Sequence, residues 1–257
     1  MSDPTLGIAP LRIAMWSGPR NISTAMMRAF ENRPDTAVVD EPFYAAYLAG
    51  TGLAHPMGAE VLAAQSQDWR EVAASLVGEA PEGKAVFYQK HMTHHMLPGF
   101  GLDWTDACRN AFLIRRPDRV LASYVRKRGS ASLEDIGVVR QGELYDRACQ
   151  RLGAAAPVVE SDDVLADPRG VLGALCAALG LDFREEMLAW PAGRRASDGV
   201  WAPVWYASVE ASTGFGAAKD EQDAPALTDD LRRVADAAWP YYETLAARRL
   251  RPETPPA

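Results

Sequence analysis

Arg20, Ser23 and Thr24 stand close together in AMWSGPRNISTAMMRAF, Ala14 to Phe30. A guanidinium fork pairs bidentately with a phosphate or sulfate, and two hydroxyls can donate to the remaining oxygens. Apolar residues run up to Trp16. A polar turn, Ser17-Gly18-Pro19-Arg20-Asn21-Ile22, follows, and then an Ala/Met/Arg/Phe pattern suited to a helix. A strand, a tight turn and a helix start in that order present unpaired backbone N–H groups and a positive dipole end to an anion. No aspartate-bearing second motif suits Mg²⁺, so the loop fits a phosphate group better than a metal–triphosphate. An ordinary capped helix start is the bland alternative.

A second set lies downstream in FLIRRPDRVLASY, Phe112 to Tyr124. Arg115 closes an apolar run, Pro117 suits a first helical turn, and Ser123 falls about two turns after Arg115. Arginine and serine so placed can clamp one phosphate. The competing reading makes Arg115, Arg116 and Arg119 surface charges. Two clamps on one sheet suit a ligand with two separated phosphates.

The elements that must position these residues alternate along the chain. Short apolar runs at Leu11–Trp16, Thr36–Val39, Ala85–Lys90, Asn110–Ile114 and Pro157–Glu160 read as buried parallel strands. Helical patterns fall at Ile22–Asn32, Ala59–Val77, Arg119–Arg126, Gly142–Leu152, Arg169–Leu179 and Thr228–Leu250, the last with a Thr228 cap and a Pro240 kink. This alternation predicts an α/β doubly wound sheet with ligands at the carboxyl ends of its strands. Residues 1–257 read as one domain, 190–225 as an aperiodic, Gly/Trp/Ser-rich loop suited to an acceptor site, and 251–257 as a frayed tail.

Composition narrows the function classes. A chain of 257 residues with 48% apolar content can bury a sizeable core. A net charge of −7 argues against a nucleic-acid coat or membrane-surface stripe, so an anion needs a local basic pocket. Cys108, Cys149 and Cys176 are widely spaced and suggest neither a disulfide framework nor a metal knuckle. The start of the chain lacks a basic and an apolar leader region, and no apolar run reaches bilayer length. A cytoplasmic location is expected, with no nucleic-acid or membrane partner and the oligomeric state open.

Two motifs are set aside. GEAPEGKA, Gly78 to Ala85, approaches G-x-x-x-x-G-K-[ST], but Ala85 has no hydroxyl for Mg²⁺ and the stretch leads into a strand rather than a helix. HMTHH, His91 to His95, has metal-like spacing, but Met92 stands where a zinc-protease helix carries its glutamate and no acidic third ligand is evident. No metal site is expected. The cluster is expected to point into the cleft.

These residues carry a resemblance. Pro19-Arg20-Asn21-Ile22-Ser23-Thr24 resembles the 5′-phosphosulfate loop of sulfotransferases, and Arg115-Arg116-Pro117 with Ser123-Tyr124 resembles their 3′-phosphate motif. VVESDDVLADPRGVLGALCAALGLDF resembles the block that follows in that family, so the likeness runs in order from Leu11 to Phe183. The closer likeness is to a divergent branch, some of it labelled aminotransferase-like, with Gly-Pro-Arg, Asp-Glu-Pro and Lys-His at similar places. No pyridoxal-phosphate lysine context accompanies it.

The resemblance implies a three-layer P-loop NTPase-like fold with a mainly parallel sheet of about five strands. It implies 3′-phosphoadenosine 5′-phosphosulfate as sulfuryl donor and a hydroxyl or amine of a small molecule as acceptor. Pro19, Arg20, Asn21, Ile22, Ser23 and Thr24 would then hold the 5′ side, and Arg115 and Ser123 the 3′-phosphate. Lys90, at the end of the third strand, would stabilise the leaving oxygen. Glu41, His91 and His94 stay open as the base. Glu41 ends the strand expected beside the phosphate loop, and Lys90-His91 end the strand expected on its other side. Trp201, Trp205, Tyr206 and Phe215 would line an acceptor pocket or form a satellite apolar cluster.

The chain departs from the family pattern at Ile22, where the loop usually has glycine. Gly18 is the residue that would compensate. The C-terminal clamp has only Gly193-Arg194-Arg195 and Gly216-Ala217-Ala218-Lys219 as candidates. A nucleotide-dependent phosphotransferase and a catalytically silent nucleotide-binding module are the alternatives.

Overall fold

The computed structural model describes residues 9–216 and 226–252. Five strands form one parallel sheet: β1 (Leu11–Ser17), β2 (Thr36–Asp40), β3 (Val86–Met92), β4 (Arg109–Ile114) and β5 (Val158–Glu160), in the order β2-β3-β1-β4-β5. β3 lies between β2 and β1, so Glu41's strand is not β1's neighbour as expected. The neighbours of β1 are β3 and β4. Strand order depends on how the connections cross the sheet, which the apolar runs do not encode.

The helices are α1 (Ser23–Glu31), α2 (Tyr44–Thr51), α3 (Gly58–Ala64), α4 (Trp69–Leu76), α5 (Pro117–Arg128), α6 (Leu133–Ile136), α7 (Val138–Leu152), α8 (Ser161–Ala166), α9 (Pro168–Ala178), α10 (Ala202–Trp205), α11 (Ala207–Glu210) and α12 (Asp229–Ala246). The helix expected over Ala59–Val77 is two. Gln65 leaves α3 in extended conformation, and Asp68 restarts the chain by accepting the Arg70 N–H. α2 was not anticipated, because its Ala/Tyr/Leu/Gly sequence shows little amphipathic contrast. α12 starts at the Thr228 cap and continues through Pro240.

Alternation along the strands sends side chains to two faces. On one, Ile13, Met15, Tyr88, Leu113 and Val159 pack with Met26, Met27 and Phe30 of α1 and with Leu172 and Leu175 of α9. On the other, Ala14, Trp16, Phe87, Phe112 and Val158 pack with Val72 and Leu76 of α4, Leu144 and Tyr145 of α7 and Leu245 of α12. Helix, sheet and helix are three layers. The carboxyl ends of the strands share one rim, and the functional loops start there.

Candidate active site

A cavity of about 370 Å³ opens on that rim. One end of it grows out of β1. The turn after Ser17 puts two non-glycine residues in the left-handed region, Arg20 at φ 63° and Ile22 at φ 55°. A β-branched residue rarely sits there. Ile22 takes the conformation that glycine usually supplies, and Gly18 does not compensate, since its φ is not positive. What Gly18 supplies is room: a Cβ would lie 2.5 Å from the Ile136 carbonyl oxygen.

The strained turn is held from outside. Asn21 Nδ2 donates to the Leu113 carbonyl at 3.3 Å, and Ser161 Oγ lies 3.1 Å from the Asn21 carbonyl oxygen. α1 then begins with no side-chain cap from Ile22. Its first-turn N–H groups have no intrahelical acceptor, and Ser23, Thr24 and Ala25 line the cavity. Arg20 Nε donates to Ser123 Oγ at 2.9 Å, and Arg115 Nη1 donates to the Arg20 carbonyl at 2.8 Å. Among the described residues neither arginine makes an ion pair with a carboxylate. Burial lowers both guanidinium pKa values. For Arg20 the nearby charges of Arg126 and Arg115 add to this. At Arg115 the nearby Asp162 and Glu160 partly offset burial, and at Arg20 no carboxylate does, so the pair leaves positive charge that suits an anion.

The centre of the cavity is arranged differently. The strand register pairs Asp40 with Lys90, so both leave the sheet on the same face. Lys90 Nζ donates to Asp40 Oδ1 at 2.8 Å, Glu41 Oε1 at 2.8 Å and the Tyr206 hydroxyl at 2.6 Å. Those are all the donors an ammonium has. Burial disfavours the charge on Lys90, but Asp40 and Glu41 outweigh it and hold its pKa well above the ordinary value. Burial raises the Glu41 pKa, Lys90 opposes that, and Asp40 reinforces it. Glu41 itself sits at φ 42°, another strained position on the cavity wall. Tyr206 donates to Asp40 Oδ2 at 2.7 Å and accepts from Trp201 Nε1 at 3.0 Å. The loop that carries them is therefore fastened to the strand ends.

The far wall is aromatic and rich in histidine. His95 stacks on Tyr44 and Tyr47 at centroid distances of 4.5 and 4.8 Å, and the Tyr44 hydroxyl lies 2.9 Å from His55 Nδ1. Burial pushes His55 down to about 4, His94 down to about 3, and His95 well below the ordinary value. All three are neutral at pH 7. Trp201, Trp205, Tyr206 and Phe215 line this space together with Ser208 and Val209 of α11, and Trp201, Trp205 and Tyr206 also pack in one apolar cluster with Tyr44 and Tyr47.

Pro19, Arg20, Asn21, Ile22, Ser23, Thr24, Glu41, Lys90, Arg115 and Ser123 all line the one cavity. His91 does not. It follows Lys90 in a strand and so points to the opposite face, where it stacks on Trp16 at 4.5 Å beside Phe43 and Trp104, with its pKa lowered by burial to about 3. Of the HMTHH cluster, His94 and His95 face the cavity. Gly193-Arg194-Arg195 lies off it, with Arg195 paired to Glu31 at 3.6 Å. Gly216 lines it, whereas Ala217, Ala218 and Lys219 lie outside the described residues, as does most of the tail. Sequence reasoning missed Asp40 and Arg128. The D-E-P ending of β2 was a usable signal for Asp40. Arg128 carried none. Among the described residues no group of three or more His, Cys, Asp or Glu is disposed to hold a metal, and no helix is long and apolar enough to cross a membrane.

A five-stranded parallel sheet between helices, with Arg20, Ser23 and Thr24 on the turn after β1 and Arg115 and Ser123 at the β4–α5 junction, has the P-loop-like α/β fold. The sulfotransferase domain family matches residues 11–249, and the chain belongs to that family. It is similar to two Arabidopsis thaliana proteins, "branched-chain-amino-acid aminotransferase-like protein 1", 36% identical over 82% of this chain, and its counterpart protein 2, 34% identical over 91%. The chain spans 37% and 41% of those relatives' lengths. The solved sulfotransferase from Alicyclobacillus acidocaldarius shares the fold, with a TM-score of 0.57 and 14% identity over 95% of this chain and 98% of that one.

Proposed function

We propose that the chain transfers a sulfuryl group from 3′-phosphoadenosine 5′-phosphosulfate to a hydroxyl or amine of a small molecule. The observation that carries this reading is the joining of two separate anion clamps and one buried carboxylate–ammonium cluster in a single cavity. Arg20 with the first-turn N–H groups of α1 suits the phosphosulfate, and Arg115 with Ser123 suits a second phosphate.

In transfer, the bond from sulfur to the bridging oxygen breaks and a bond from sulfur to the acceptor atom forms. The acceptor's proton goes to Glu41, whose carboxylate lines the cavity and is held there by Lys90. Charge growing on the bridging oxygen falls to Arg20 and the α1 N–H groups. Lys90 has no free donor, so its role is to hold Glu41 in place and supply a fixed positive charge beside the reacting atoms. The same saturation makes Lys90 a poor Schiff-base lysine, because an aldimine needs a neutral amine.

Thermal shift separates this reading from a phosphotransferase. Stabilisation by 3′,5′-adenosine bisphosphate, with none from ATP and Mg²⁺, supports it, and the reverse pattern refutes it. Transfer of labelled sulfate to a metabolite pool separates an enzyme from a silent binding module.

A further inference from the structure

This inference rests on the transfer reading and deepens it. We propose that the acceptor carries a carboxylate, received by Arg128, on a flat apolar body that lies along the Tyr44, Trp201 and Trp205 wall.

Four cations line the cavity among the described residues: Arg20, Lys90, Arg115 and Arg128. Arg20 and Arg115 meet at the donor end, and Lys90 is committed to Asp40, Glu41 and Tyr206. Arg128 is left over. It ends α5, five residues beyond Ser123, which is about 7.5 Å further along the helix axis than the donor clamp. Tyr124 and Arg128 are separated by one helical turn, and both line the cavity. The Arg128 charge acts on Tyr44, His55 and His94, which places it among the groups of the far wall.

Arg128 forms no ion pair among the described residues. Asp135 acts on Tyr47, Tyr124, His55 and His94, but its carboxylate is engaged in the α6 capping box, where it accepts the Ser132 N–H at 2.8 Å. The histidines of this wall are neutral at pH 7. The Lys90 charge also reaches His95, but its three donors are spent, so the cation with donors to offer an anion on this wall is Arg128. One guanidinium with a neighbouring tyrosine matches a planar carboxylate. A phosphate dianion would call for a second cation of the kind found at the donor end. His95 Nδ1 and His94 Nδ1 are buried without partners, and so offer hydrogen bonds to polar atoms on the acceptor body.

The test uses the full chain saturated with 3′,5′-adenosine bisphosphate. Calorimetry compares hydroxyaryl and hydroxyalkyl carboxylates, para-hydroxyphenylacetate among them, each with its own primary amide. The carboxylates should bind about tenfold or more tighter than the amides. Arg128→Gln should erase the difference, Arg128→Lys should keep part of it, and bisphosphate affinity should be unchanged in both. The proposal is overturned if no carboxylate outbinds its amide, or if the preference survives Arg128→Gln. Failure of the bisphosphate itself to bind would bring down the transfer reading as well. A normal bisphosphate titration with no carboxylate preference brings down this inference alone.

Discussion

The two ends of the cavity treat charge in opposite ways. At the end beside β1, Arg20 and Arg115 are partly buried cations tied to a hydroxyl and a backbone carbonyl, with no direct ion pair among the described residues, although Asp162 and Glu160 act on Arg115 from nearby. Past the strand ends, every buried charge is answered from within: Lys90 by two carboxylates and a tyrosine, and the histidines by staying neutral. On the proposed reading, the end left electrostatically incomplete receives the charged donor, and the end completed internally holds geometry and exchanges a proton. Arg128 is the exception on the far wall, and that is what singles it out.

The largest effect should come from emptying the completed end. Lys90→Met leaves Asp40 and Glu41 buried side by side without a counterion, and should cost about 3–5 kcal/mol in urea unfolding. A cost near zero would mean that the cluster does not organise the site.

Acid should act on the same end. His55, His91, His94 and His95 have lowered folded pKa values, so their contribution is present above the unfolded value of about 6.5 and is lost as pH falls toward the folded values. Glu41 and Glu160 have raised folded values, Glu160 at about 7, and hold extra protons in the folded state over the same window. With four histidines set against two carboxylates, unfolding takes up protons on balance near pH 5, so stability should fall as pH falls there. Urea midpoints measured between about pH 6.5 and 5 check the sign.

Glu41→Gln removes the proposed base while keeping the side chain's shape. Turnover should drop about 10²-fold, with bisphosphate affinity nearly intact. His91→Phe replaces an imidazole stacked on Trp16 and should leave turnover unchanged. Full turnover in the Glu41 variant would pass the role to His94.

At the donor end, Arg20→Ala should weaken bisphosphate binding by about 2 kcal/mol with little change in stability. The smallest effect should be at Ile22. Replacing it by glycine relieves a left-handed φ of 55° but gives up packing against the core, so unfolding free energy should move by less than about 1 kcal/mol. A loss of several kcal/mol would show that the turn is not strained.

Much of this was legible in the sequence, for physical reasons. Each strand is a short apolar run closed by turn residues, and Arg20 with Ser23, like Arg115 with Ser123, sits on one local strand–turn–helix segment, so spacing alone put all four on the cavity rim. Nonlocal facts were not legible. The Arg20–Ser123 bond joins residues 103 apart, and Tyr206 reaches Asp40 across 166. The exclusion of His91 was within reach, since alternation along a strand sends Lys90 and His91 to opposite faces. Ile22 shows the limit of residue preference. A turn pinned by Asn21 and Ser161 imposes a backbone conformation that a β-branched residue would not choose alone.

The central claim is that the two clamps read two separated phosphates of one donor. The direct measurement is calorimetric titration of the wild type and Arg115→Ala with 3′,5′-adenosine bisphosphate and with 5′-adenosine monophosphate. The wild type should bind the bisphosphate about tenfold or more tighter, and Arg115→Ala should bind the two alike. Equal affinity of the wild type for both nucleotides would contradict the account.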